Sequence, residues 1–106
     1  MKQIGKVLLS LVAVLAVAAA DLAGGPIMGG DPSWPPAGNL TPHADGLEAW
    51  TEEDFLRAMR EAEKPDGTEL LAPMGPVTNF TRNMSDVELE ALWMYLRSLP
   101  ATPTPD

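Results

Sequence analysis

Met74 is the residue of this chain best placed for metal chemistry. It lies between Pro73 and the Gly75-Pro76 pair, in an apolar stretch that the sequence predicts to be a loop between two helices. A methionine held in a loop that prolines stiffen can offer its thioether to iron or copper as a soft ligand. The alternative is that this polarizable side chain fills a gap in the core, and the spacing alone favours that alternative.

The other polar residues do not form a catalytic group. His43 is the only histidine and lies in a predicted loop, where it is either a metal ligand or, more simply, an exposed side chain. A histidine base needs a nucleophile and an orienting partner, and the neighbouring sequence supplies neither. The acids Glu52, Glu53 and Asp54 are explained by the positive end of a helix dipole. We therefore predict that the chain is not an enzyme.

The first element that could position these residues is a helix that begins after Thr51. The Thr51 hydroxyl and the Asp54 carboxylate, three residues apart, nearly match a capping box. Apolar residues then recur at helical spacing at Phe55, Leu56 and Met59. The helix is expected to fade by Ala62 or Glu63, before the turn signal of Pro65-Asp66-Gly67.

A stronger helix signal follows an irregular, apolar stretch over residues 64–83. Ser85 and Glu88 form a full capping box, and Pro100 marks the end of the helix. Between them a buried face is predicted at Leu89, Leu92, Trp93, Leu96 and Leu99. No segment alternates as a strand does. The expected fold class is all-α, with two main helices and long loops rich in glycine and proline.

The two ends of the chain differ in composition from this body. Residues 1–20 combine two lysines, an apolar run and an A-x-A pattern, which predicts a secretory signal peptide or else an N-terminal membrane-anchor helix. Because the lysines precede the apolar run, the body is expected in the periplasm, either exported or anchored to the inner membrane. Residues 21–38 are predicted to be a Gly/Pro-rich linker, and residues 101–106 a flexible tail.

The charge balance and the missing cysteines exclude several classes of function. The whole chain has a net charge of −8, and after residue 20 five basic residues face fifteen acidic ones, a net charge of −10. That balance argues against nucleic-acid binding. It is compatible with docking to a basic protein surface, or simply with a well-solvated surface. Without cysteine the chain forms no disulfide and no Cys-based zinc or iron–sulfur site.

Several short motifs stand in an order that resembles a known family. They are Asn39-Leu40-Thr41-Pro42, Trp50-Thr51-Glu52-Glu53-Asp54-Phe55, Pro65-Asp66-Gly67, Pro73-Met74, Met84-Ser85-Asp86 and the run from Ala91 to Pro100. The series resembles the C-terminal part of bacterial class I c-type cytochromes, especially periplasmic ones similar to cytochrome subunits of membrane dehydrogenases. The resemblance covers about residues 24–100 and makes residues 39–100 an incomplete cytochrome c-like region.

The resemblance implies a small all-α haem protein that transfers single electrons. It implies that Met74 is the axial ligand of the haem iron. His43 does not match the family's proximal histidine, and it is a weaker ligand candidate through its residue type alone. The resemblance also implies that the haem pocket is formed near Asn39, Leu40, Trp50 and Pro73. The family's Cys-x-x-Cys-His motif is absent here, so covalent haem attachment at the usual motif is impossible. Gly75 stands where many relatives have a proline, and this is expected to loosen the ligand loop.

Three functional hypotheses follow from these observations. In the first, the chain is a truncated or degenerate cytochrome c-like electron-transfer protein, whose redox partner or missing haem half lies on another chain. In the second, it is a haem-free interaction module that docks to a membrane or periplasmic oxidoreductase subunit. In the third, haem binds without covalent attachment, with Met74 and His43 as ligands or with ligands from a partner. An uncleaved N-terminal segment would add contact with the membrane.

Overall fold

The computed structural model of the chain describes residues 18–26 and 29–106. The predicted signal or anchor segment, residues 1–20, lies outside the described residues as far as residue 17. Within the described ranges, residues 18–21 are helical and three further helices follow: α1 (Glu52–Glu61), α2 (Met74–Thr81) and α3 (Asp86–Ser98). None of the helices described is long and apolar enough to cross a membrane.

The part of the chain that the structure describes is helical and contains no strand. It has two isolated antiparallel β-bridges, one between Gly25 and Ala37 and one between Glu63 and Glu69. The second bridge closes the Pro65-Asp66-Gly67 turn, as the sequence predicts for that turn signal. The all-α prediction is consistent with this architecture, but the expectation of two main helices is wrong, because α2 is a third.

Both predicted helices are confirmed, and both begin with a complete capping box. At α1 the Asp54 N–H donates to the Thr51 hydroxyl at 3.1 Å, and the Thr51 N–H donates to the Asp54 carboxylate at 2.9 Å. At α3 Ser85 and Glu88 exchange the same pair of bonds. These bonds satisfy amide groups that have no partner inside the helix. The helix starts are therefore determined by residues three positions apart.

Helix α2 corrects the expectation that residues 64–83 are irregular and that Met74 lies on a loop. Gly75 and Pro76, read from the sequence as loop formers, occupy the first turn of α2. Proline is tolerated there because the first N–H groups of a helix have no partner within it. The expectation that Gly75 loosens this segment stays a prediction. A Cβ on Gly75 would lie 2.6 Å from the Leu70 carbonyl oxygen, so the glycine permits a close backbone approach.

The hydrophobic core lies between α1, α3 and the segments that precede α1. Phe55 of α1 stacks on Trp93 of α3, with ring centroids 5.4 Å apart. The Arg97 guanidinium lies over the Trp93 ring, 5.4 Å from its centroid, and donates to the Leu47 carbonyl at 3.0 Å. The buried cluster comprises Ala19, Leu47, Phe55, Trp93, Leu96 and Leu99. The predicted apolar faces of both helices thus point inward, and no side chain of α2 belongs to this cluster.

Candidate functional site: the outward apolar face of α2

Helix α2 directs polar side chains towards the body of the protein. Thr78 is 2% exposed, and its hydroxyl donates to the Gly75 carbonyl at 2.6 Å. Thr81 is also buried, and its hydroxyl donates to the Met59 carbonyl of α1. A surface helix ordinarily packs its apolar residues on the core and presents its polar residues to water. The distribution along α2 is the reverse of that pattern.

The apolar side chains of α2 face the solvent instead. Phe80 is 72% exposed and Val77 is 43% exposed, while Met74 at the helix start is 38% exposed. Leu71 precedes the helix and is also exposed, and its carbonyl accepts from the Gly75 N–H at 3.0 Å. Met74, Val77 and Phe80 are three residues apart on the helix, so each is a neighbour of the next, and Leu71 lies before the helix start. We call Leu71, Met74, Val77 and Phe80 the outward apolar face.

A shallow groove of about 460 Å³ lies beside Phe80 where α2 meets the start of α3. It is lined by Asn79, Phe80, Asn83, Met84 and Glu88. The Ser85 backbone N–H, and then the Ser85 hydroxyl, lower the pKa of the Glu88 carboxyl by hydrogen bonding. Glu88 is therefore ionised at neutral pH, and the groove combines an aromatic wall with a fixed negative charge.

Polar contacts from α1 hold α2 in this orientation. The Arg60 guanidinium donates to the Arg82 carbonyl at 2.9 Å, directly after α2, and pairs with the Asp86 carboxylate at the start of α3. Together with the bond from Thr81 to Met59, these contacts join α1 to both ends of the connection between α2 and α3. The outward apolar face is thus fixed by hydrogen bonds on the opposite side of the helix.

The structure separates the predicted site residues into two groups. Met74 is the first residue of α2, and Pro73 directly precedes it at the N-cap. Trp50 is partly buried and packs against the core cluster. Leu40 is exposed, and its N–H donates to the Leu22 carbonyl at 2.8 Å. Met74 thus belongs to the outward apolar face and Pro73 directly precedes it, whereas the other predicted pocket residues belong to the segments before α1.

Asn39, predicted to lie near a cofactor, uses its side chain within the protein. It is 6% exposed, and its carbonyl oxygen accepts from the N–H and the hydroxyl of Thr41. Its amide nitrogen donates to the Thr102 carbonyl at 2.8 Å and to the Thr104 hydroxyl at 3.0 Å. An asparagine side chain has two donor hydrogens and two acceptor sites. All four are occupied, so Asn39 has no hydrogen-bonding capacity left for a cofactor.

The same bonds hold the C-terminal residues that were predicted to be a flexible tail. The Thr102 N–H donates to the Thr41 hydroxyl at 3.1 Å, and the Thr104 N–H donates to the Asp45 carboxylate at 3.1 Å. Pro105 approaches Gly25, where an added Cβ would lie 3.5 Å from the proline ring. The tail therefore crosses the loops that precede α1, and is attached more firmly than its composition predicts.

His43 is only partly available as a ligand. Its Nδ1 accepts from the Asp45 N–H at 2.9 Å and lies 3.5 Å from the Asp45 carboxylate. Within residues 18–26 and 29–106, no group of three or more histidine, aspartate or glutamate residues could hold a metal ion. The Met74 thioether is the group of this chain that would hold a haem iron as a soft ligand. The chain has no cysteine for covalent haem attachment, and His43 could hold a metal only through Nε2, since its Nδ1 accepts the Asp45 N–H.

Phe80, Thr78 and Glu88 were not singled out as functional from the sequence. Apolar residues at positions 71, 74, 77 and 80 recur every three residues, and this recurrence was present in the sequence. It was obscured by the glycine and the prolines among them, which favoured a loop. The burial of Thr78 and Thr81 depends on the placement of α1 and could not be obtained from local spacing.

Comparison with known proteins gives an informative similarity. The chain is 43% identical over 61 residues to one of the subunits of nicotinate dehydrogenase from Pseudomonas putida. The alignment covers 57% of this chain and 5% of that protein. No known protein family matches the chain, and no solved structure matches it. The chain is thus similar to a short part of a dehydrogenase subunit, and the resemblance to c-type cytochromes stays a prediction.

Proposed function

We propose that this chain is a haem-free docking module of an electron-transferring oxidoreductase, and that it binds a larger subunit through the outward apolar face. The observation on which this rests is the reversed polarity of α2, which buries Thr78 and exposes Phe80. Exposed apolar side chains beside a groove mark interaction surfaces in soluble proteins. The similarity to a segment of a dehydrogenase subunit supports an oxidoreductase as the partner.

Burial of Phe80 against a partner is expected to contribute a modest amount to the free energy of binding. Full burial of a phenylalanine side chain contributes about 1.5–3 kcal/mol. Because Phe80 is 72% exposed, covering it would contribute about 1–2 kcal/mol, or about 5–30-fold in the dissociation constant. Aromatic side chains that enter a partner's pocket are frequent hot spots of binding.

The charge of the chain specifies the kind of surface that this partner presents. Beyond residue 20 the net charge is −10, and the ionised Glu88 lies in the groove beside Phe80. A basic patch around an apolar pocket is complementary to this arrangement. Charge complementarity mainly accelerates encounter and suppresses wrong partners. Association is therefore expected to slow as salt rises, while the loss of Phe80 mainly speeds dissociation.

Electron transfer in the complex would use redox groups that the partner holds. The chain contributes no cysteine for haem attachment, and its own residues supply surface and orientation. A second candidate function is non-covalent haem binding, which is favoured by one observation. Met74, whose thioether is a soft ligand for iron, is 38% exposed at the start of α2. A second ligand from another chain would complete such a site.

Co-purification from the cells that make this protein tests the proposal. The tagged full chain is compared with Phe80→Ser, and bound oxidoreductase subunits are measured by quantitative mass spectrometry. Met94→Ser is the matched control, because Met94 is 65% exposed on α3 and lies outside the outward apolar face. We expect oxidoreductase subunits to accompany the wild type and Met94→Ser, and to decrease at least five-fold with Phe80→Ser. Equal recovery with all three forms would contradict docking through this face.

A further inference from the structure

The segment at the predicted signal-peptide cleavage site is part of the folded core. Ala19 is 0% exposed and belongs to the same buried cluster as Phe55 and Trp93. Ala18 and Leu22 pack against that cluster. Ala20, between them, is exposed. In the A-x-A pattern at positions 18–20, Ala19 is therefore buried in the core, while Ala18 is only partly buried and Ala20 is exposed.

Hydrogen bonds continue across the bond at which a signal peptidase would cut. The Leu22 N–H donates to the Ala18 carbonyl at 3.0 Å, and the Ala23 N–H donates to the Ala20 carbonyl at 3.4 Å. The Leu40 N–H donates to the Leu22 carbonyl at 2.8 Å, which connects this segment to the loops before α1. A cut after Ala20 would remove both acceptors that precede it and would leave the core open where Ala19 lies.

We infer that the mature protein retains Ala18, Ala19 and Ala20, and that Ala19 is a core residue and not part of a discarded leader. The inference concerns the predicted cleavage site, and it excludes a cut after Ala20. It is independent of the proposed function, because it concerns Ala19 and not the outward apolar face.

Two substitutions of the same kind distinguish retention from cleavage. An A-x-A site needs small residues at its first and third positions, whereas the middle position is variable. Ala20→Gln therefore blocks a cut after residue 20 and alters only an exposed position of the fold. Ala19→Gln leaves the cleavage pattern intact and inserts a long polar side chain into the core. Ala19→Ser is a milder version, in case the glutamine variant does not fold.

The experiment measures the intact mass and the thermal midpoint of each form, expressed as the full chain in an exporting host. We expect the wild-type mass to include Ala19, Ala20→Gln to melt within about 1 °C of the wild type, and Ala19→Gln to melt at least about 5 °C lower, with Ala19→Ser between them. A wild-type chain that begins at Asp21, with Ala19→Gln giving the identical mature product, would overturn the inference. So would equal melting of all four forms.

Discussion

Substitution of Asn39 tests whether its hydrogen bonds join the C-terminal tail to the loops before α1. Asn39→Asp preserves the size of the side chain and its bonds from Thr41, but removes both amide donors. A carboxylate oxygen then faces the Thr102 carbonyl oxygen across the 2.8 Å that the amide bond spanned. The Thr104 hydroxyl can rotate and donate to the new carboxylate, which offsets part of the loss. The substitution thus replaces one attractive contact by a repulsive one at a buried position.

The expected cost follows from these contacts. One lost hydrogen bond costs about 0.5–1.5 kcal/mol, and an unfavourable buried polar contact costs about 1–3 kcal/mol. The single hydrogen of the Thr41 hydroxyl can turn from residue 39 to the Thr102 carbonyl, whose oxygen lies 3.0 Å from the hydroxyl oxygen, so we expect a net loss of about 2 kcal/mol in the free energy of unfolding at pH 7. When the introduced carboxylate is protonated, it is neutral and its hydroxyl can donate to the Thr102 carbonyl. Its pKa is therefore raised in the folded state, and the destabilisation should shrink as the pH falls towards 4.

Urea unfolding followed by tryptophan fluorescence measures this effect, with the free energy of unfolding obtained by linear extrapolation. Asn79→Asp is the matched control, because Asn79 is exposed on α2 and the same substitution there should change the free energy by less than about 0.5 kcal/mol. Deletion of residues 102–106 removes the two acceptors of the Asn39 amide, so its effect and that of Asn39→Asp should not add. Full additivity, or equal stability of Asn39→Asp and Asn79→Asp, would refute this account of Asn39.

Three further perturbations test the packing and the caps. Gly46→Ala should lower the free energy of unfolding in urea by about 1–3 kcal/mol, because the new Cβ would lie 2.6 Å from the Asn39 and Thr41 carbonyl oxygens. Gly38→Ala is the control and should not destabilise, because a Cβ there meets nothing within 4 Å. Equal effects of the two substitutions would contradict the close packing at Gly46. Phe55→Ala should lower the free energy of unfolding by about 3–5 kcal/mol and reduce the near-ultraviolet circular dichroism signal, because it removes the stack on Trp93. Val87→Ala, on the exposed side of α3, should change the free energy of unfolding little. Glu88 has a lowered pKa in the folded state, so its stabilising effect is complete above the ordinary pKa of glutamate and is lost as the pH falls through the lowered value. Glu88→Gln should therefore show a flatter dependence of unfolding free energy on pH in that acidic range, and an unchanged dependence would show that the cap does not couple to protonation.

The parts of this fold that the sequence predicted well are those determined by residues close together in the chain. The caps of α1 and α3 depend on positions three apart, and the apolar faces that contain Phe55 and Trp93 follow from helical spacing. Helix α2 was missed because proline and glycine signal a loop locally but are tolerated in a first turn. The role of Asn39 could not be predicted, because its partner Thr102 lies 63 residues away.

The candidate site was predicted only in part for the same reason. Met74 was identified as a candidate but was predicted to lie on a loop, and its helical position became visible only with α2. Exposure of Phe80 results from the burial of Thr78 and Thr81, which depends on contacts with α1 and the turns around it. Amphipathic spacing indicates that a helix has an apolar side, and by itself it does not indicate whether that side meets the core or a partner.

The most direct test of the docking proposal is the visible absorption spectrum of the tagged chain, recorded alone and in the fraction where it elutes with an oxidoreductase subunit. We predict no Soret band for the isolated chain, and elution of the chain together with an oxidoreductase subunit. That co-elution should be lost with Phe80→Ser and retained with Met94→Ser. A Soret band on the isolated chain that disappears with Met74→Ala would contradict the haem-free assignment and establish non-covalent haem binding in its place. Absence of any complex would contradict docking.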